Sequence, residues 1–149
     1  MLLEGRNGHR LELTLTGYEF PAIEDDRWDS NWLHIRIAAT SDRGSWTASH
    51  PSLLTSEAAS LADWLDAIAE SRDMGPELEF TEPNLAFELV AGADRVRLRA
   101  WFELELRPGW ASWEEVPQRD LCVDLDVARS DLRAAAEAIR AQLAALPPR

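Results

Sequence analysis

The sequence predicts an α+β fold: an antiparallel sheet of six or seven strands with two helices packed on one face. Three observations point to it. Apolar and polar residues alternate one by one in several segments, the period of a half-buried strand. Two other segments repeat apolar residues at helical spacing. The strands alternate instead of running continuously apolar, which argues for antiparallel pairing with one face covered and one hydrated. Both helical stripes need cover, and the apolar face of the sheet is the only large one available.

Along the chain, Leu11, Leu13 and Leu15 alternate with Glu12, Thr14 and Thr16, and Leu33, Ile35 and Ile37 with His34 and Arg36. Asp42, Arg43 and Gly44 read as a turn into a short strand around Trp46 and Ala48. After Pro51, Thr55 or Ser56 caps a first helix, with Glu57 in its favourable first turn. Leu61, Trp64, Leu65 and Ile68 form its stripe, and Gly75-Pro76 ends it. A strand over Leu85, Phe87 and Leu89 leads through the hairpin-like connection from Ala91 to Asp94 into the clearest strand, Arg95 to Leu106. There Val96, Leu98, Ala100, Phe102, Leu104 and Leu106 face one way, and Arg95, Arg97, Arg99, Trp101, Glu103 and Glu105 the other. Leu121, Val123 and Leu125 alternate in a last strand. A second helix runs from about Ala128 to Leu146, its stripe Leu132, Ala135, Ile139, Leu143 and Leu146, and Pro147-Pro148 stops it.

At 149 residues the chain reads as one domain, 1–149, large enough to bury about 68–70% of its unfolded surface without a metal or a disulfide. Cys122 is the one cysteine, so no internal disulfide forms. Met1 to Gly8 reach an acid and turn residues too soon to read as a signal peptide, and no apolar run reaches the roughly 18 residues that span a bilayer. A cytoplasmic protein is expected. The net charge of −12 repels nucleic-acid phosphates and anionic membranes and draws in a basic protein. All fifteen cationic residues are arginine, a usage that coding bias explains.

Catalytic patterns are missing. His9, His34 and His50 fall in no metal-ligand spacing, the serines sit in no nucleophile elbow, and Cys122 reads as a small residue in a strand. Paired carboxylates arise by composition in so acidic a chain. Asp25, Asp26, Asp29 and Asn31 offer oxygens to a hard cation, but the loop lacks the EF-hand glycine and its final glutamate. Gly5 and Gly8 precede no helix and make no phosphate loop. No catalytic residue, metal or cofactor is expected.

Two loops combine acids with tryptophan. Glu24, Asp25, Asp26, Trp28 and Asp29 lie in one; Trp110, Trp113, Glu114 and Glu115 lie in the other. Each tryptophan has two readings, a plug folded onto the end of the core or an aromatic anchor ringed by steering charges. The acids likewise are either a solvated rim or stand-ins for phosphates on a basic surface.

The segment Gly17 to Leu33 is similar to the opening motif of the WapI-like family of bacterial immunity proteins. The run Pro51 to Glu57 leading into Leu61 to Leu65, and the run Phe80 to Leu89, carry the same resemblance in the same order. It implies a cytoplasmic protein that binds a cognate toxin domain, a nuclease for the family's named member, and neutralises it by stoichiometric occlusion. The family brings no catalytic residues, and the named loop residues are the expected contacts of a monomer or weak homodimer. Two other classes of function remain open at this level: a small-ligand or enzymatic α+β domain with a pocket beside the Trp110–Trp113 loop, and a homo-oligomeric structural module.

Overall fold

The computed structural model describes residues 1–26, 28–92, 95–111, 116–117 and 119–149. In chain order these form β1 (Leu2–Glu4), β2 (Arg10–Tyr18), β3 (Trp32–Ser41), β4 (Gly44–Leu54), α1 (Thr55–Ala69), β5 (Glu77–Glu79), β6 (Leu85–Gly92), β7 (Val96–Phe102), β8 (Cys122–Val127) and α2 (Arg129–Leu143). Single 3-10 turns lie at Asp29–Asn31 and Leu104–Leu106.

The α+β class and the antiparallel pairing hold, but the single sheet of six or seven strands does not. There are two four-stranded meanders, β1-β2-β3-β4 and β5-β6-β7-β8. The first ends where Leu54 turns into α1, and β5 opens a new sheet. What would join them is the outer edge of β8, and that edge is already occupied. The backbone N–H of Arg6 donates to the Asp126 carbonyl at 3.0 Å. The Asn7 amide and the His9 ring sit on the Asp124 carbonyl, each at 2.7 Å. With the edge sealed, the apolar faces of the two sheets meet in one core instead of the edges meeting in one sheet.

That core takes Leu11, Leu13, Leu33, Ile35 and Ile37 from the first sheet and Phe87, Leu98, Ala100, Phe102 and Val123 from the second. The helices pack on each other, α2 also against β1 and β2, and α1 against β4. Leu61, Trp64 and Leu65 of α1 and Leu132, Ala135 and Ile139 of α2 are buried as their spacing predicts. Two ring contacts tie the layers together. Trp46 of β4 meets Phe102 of β7 edge-on at 5.2 Å, and Trp64 of α1 meets Phe87 of β6 at 6.3 Å.

Several boundaries move. β4 is not a short strand but eleven residues long. It carries Pro51 because it is an edge strand, and Pro51 pairs with His34 next to a bulge between Leu33 and His34. The cap of α1 is Leu54, one residue before Thr55, and Glu57 accepts the Leu54 N–H at 2.9 Å. The helix ends at Ala69, ahead of Gly75-Pro76, where Ser71 takes a left-handed conformation at φ 61°. α2 begins at Arg129, with Asp131 accepting the Ala128 N–H at 2.8 Å.

The long strand stops at Phe102, four residues short of Leu106. Leu104 adopts a left-handed φ of 50°, and the alternation inverts. Glu103 is buried and Leu104 is 41% exposed, opposite to the faces expected.

Replacing Phe102 by alanine removes the ring that joins the two sheets through Trp46. Phe102→Ala is expected to cost about 3–5 kcal/mol, read from the urea unfolding midpoint.

Candidate partner-binding site

The first acidic loop runs from the end of β2 to the start of β3, and its carboxylates divide into two kinds. Asp26 works internally. Its Oδ1 accepts the backbone N–H groups of Trp28 and Asp29, both at 2.8 Å, and its carbonyl accepts the Ser30 N–H at 3.1 Å and the Ser30 hydroxyl. Those backbone donors hold its carboxyl below the usual aspartate range. Glu24, Asp25 and Asp29 are exposed and, among the described residues, make no side-chain hydrogen bond or ion pair. Trp28 is 54% exposed, so it does not plug the core.

Asn31, which sequence reading counted only as a possible cation ligand, organises this end of the molecule. Its Oδ1 accepts the Thr55 hydroxyl at 2.9 Å and the Arg149 N–H at 3.0 Å, and its Nδ2 donates to the Arg149 carbonyl at 2.8 Å. One amide thus joins the loop, the first turn of α1 and the tail after α2. Arg149 then reaches over the loop, donating to the Pro21 carbonyl at 2.9 Å and lying 3.8 Å from the Tyr18 ring centre. The Tyr18 hydroxyl donates to the Pro147 carbonyl. A cavity of about 260 Å³ opens between these parts, lined by Trp28, Asn31, Leu54, Thr55, Ser56 and Pro148. No local pattern announces Asn31 or Arg149, which stand 118 residues apart.

The second loop follows β7. Its base is a buried ion pair, Arg107 with Glu103 at 2.9 Å, the side chains 4% and 6% exposed. Arg107 also donates to the Ala111 carbonyl at 3.3 Å and to the Val116 carbonyl, and Glu103 accepts the Arg119 N–H. So many bonds around one buried pair make it a fixed staple for the loop. Trp110 stands edge-on to Trp46 at 6.0 Å, with the Arg43 guanidinium 5.7 Å from its ring centre; it remains 40% exposed. Trp113, Glu114 and Glu115 lie outside the described residues.

Trp28 and Trp110 stand far apart. The first sits where Trp32 pairs with Leu54, whereas Trp110 packs over Gly44, which pairs with Ser41. The whole of β3, ten residues, lies between them, roughly 30 Å at about 3.3 Å per residue.

The acids of the second sheet's last strand are paired. On the wet face of the second sheet Arg99 meets Asp124 and Arg95 meets Asp126, both at 2.7 Å. Trp101, on the same face, carries the Arg99 guanidinium 5.2 Å from its ring centre. Across the ladder it faces Ala86 and Cys122. Burial, then the charge of Asp124, pushes the Cys122 thiol up, as suits an inert strand residue. His50 stands 3.9 Å from Glu105.

A sequence model of the immunity protein WapI-like family matches residues 1–147, nearly the whole chain. The chain belongs to that family. Membership in this immunity protein WapI-like family supports an immunity function, implies a toxin partner in general and suggests a role without chemistry. No curated protein matches the chain. Among the described residues no helix is long and apolar enough to cross a membrane.

Asn31→Ala strips partners from the buried Thr55 hydroxyl and from the backbone of Arg149. It is expected to destabilise by about 1–3 kcal/mol in urea unfolding. The Arg99 hydrogen bond depresses the Asp124 carboxyl. A depressed carboxyl contributes stability above its unfolded value and loses it as pH falls through the folded one. Asp124→Asn therefore lowers the unfolding midpoint at neutral pH, and the gap from wild type closes as pH drops from about 5 to about 2.

Proposed function

We propose that this chain is an immunity protein that acts in the cytoplasm, binding a cognate toxin domain one to one and blocking it by occlusion, without chemistry of its own. The observation that carries the reading is the family match along residues 1–147. The target of this reading is a nuclease with a basic surface. Its support is the net charge of −12, which attracts a surface built to hold polyanions and speeds association at low salt. The contacts of this reading are Glu24, Asp25, Trp28 and Asp29 in one loop and Trp110, Trp113, Glu114 and Glu115 in the other, with Asp26 shaping the first from within. The working form is a monomer or weak homodimer.

The test is co-expression with the toxic domain encoded beside this gene, together with light scattering of the purified mixture. Survival and a 1:1 complex are expected. Continued killing and no complex, with the protein shown to be folded, would overturn the assignment.

A further inference from the structure

Resting on that reading, we infer that the partner docks at the Trp28 end of the molecule, seating a basic segment of the toxin domain in the groove between Trp28 and Pro148. Trp28 and Trp110 stand at opposite ends of β3, and their surroundings differ. Trp110 is 40% exposed, with Trp46 against its edge and Arg43 over its ring, and no groove is described beside it. Trp28 stands 54% exposed beside an open groove. A large aromatic surface left in water next to a cavity is where association removes the most apolar area for the fewest ordered side chains.

Charge selects the occupant. Across the second sheet and between the helices, some acids are matched with arginine: Asp124 of β8 and Glu88 of β6 with Arg99, Asp126 of β8 with Arg95, and Asp63 and Asp66 of α1 with Arg140 of α2. The loop that carries Trp28 differs from these. Glu24, Asp25 and Asp29 have no cation among the described residues, and Arg149 is committed to the Pro21 carbonyl and the Tyr18 ring. Nor does the first turn of α1 favour an anion there. Glu57 already lies at that helix end, taking the Leu54 N–H at 2.9 Å and the Thr81 N–H at 2.7 Å. The open carboxylates and the apolar floor together suit arginine or lysine, whose stem lies on the groove while the head meets the rim.

The surface is held in shape before a partner arrives. Asn31 and Arg149 clamp the loop to α1 and to the tail, and Asp26 closes its turn, so binding need not order the loop. Asn31, Asp26 and Arg149 are positioning residues in this scheme; Trp28, Glu24, Asp25 and Asp29 are the contacts.

The experiment is calorimetric titration of the toxin domain encoded beside this gene into wild type and three folded variants: Asp25→Arg, Trp28→Ala and Glu137→Arg. Glu137 is exposed on α2, and its reversal changes net charge as much as that of Asp25. Asp25→Arg and Trp28→Ala are expected to weaken binding by about tenfold or more, and Glu137→Arg by less than about threefold. Raising salt should weaken the wild-type complex more steeply than the Asp25→Arg complex. Wild-type affinity in both loop variants would overturn the proposal while leaving the immunity reading intact. An equal loss in Glu137→Arg would also overturn it, by tracing the effect to overall charge. So would a wild-type dimer that Trp28→Ala turns into a monomer, since the groove would then hold a second copy. If wild type itself forms no complex, the immunity reading falls and this proposal with it.

Discussion

Everything in this molecule depends on how the outer edge of β8 is closed. Each sheet is apolar on one face only, and neither has a second face to bury alone. The turn after β1 places the Arg6 N–H, the Asn7 amide and the His9 ring on the carbonyls of Asp124 and Asp126. That satisfies the last strand without adding another and aligns the two apolar faces. The Trp46–Phe102 contact fastens them from the side of β4. With both sheets committed to a common interior, the helices cover what remains, and Trp28 and Trp110, at the two ends of β3, are left exposed.

The distribution of charge follows from that arrangement. Ladder positions on the second sheet set arginine opposite aspartate, so those acids are matched across strands as a consequence of register. A connecting loop has no register to supply partners. Among the described residues, Glu24, Asp25 and Asp29 between β2 and β3 therefore have no cation, whereas the backbone uses Asp26. Glu103 is the opposite case, a carboxylate drawn inside by a backbone turn and held there by Arg107.

Much of the fold was legible because alternation reports on faces. Leu11 to Leu15, Leu33 to Ile37 and Val96 to Phe102 all bury the residues that their period selects. Faces carry no information about edges, which is why two sheets read as one. β1 and β5, three residues each, are too short to show a period, and Ser, His and Pro blur it in β4. The inversion at Glu103 and Leu104 comes from a left-handed leucine, a choice that tertiary packing imposes on a residue that avoids it alone. At the site, composition marked the acidic loop and Trp28, and the family resemblance was carried by residues that the matching span includes. The Asn31–Arg149 clamp joins residues 118 apart, and nothing local marks such a pairing.

That clamp also orders events in time. The loop between β2 and β3 leaves the ribosome early, yet one of its two anchors, residues 147–149, is made only after α2. Until α2 has docked, Asn31 has no tail to hold, and the loop lacks the bonds from Arg149 to the carbonyls of Pro21 and Ile23. A nascent chain can complete the first sheet by short-range pairing, but this end of the molecule waits for α2 and the residues that follow it. Vectorial synthesis thus lets an acidic segment that is made early take its final shape late.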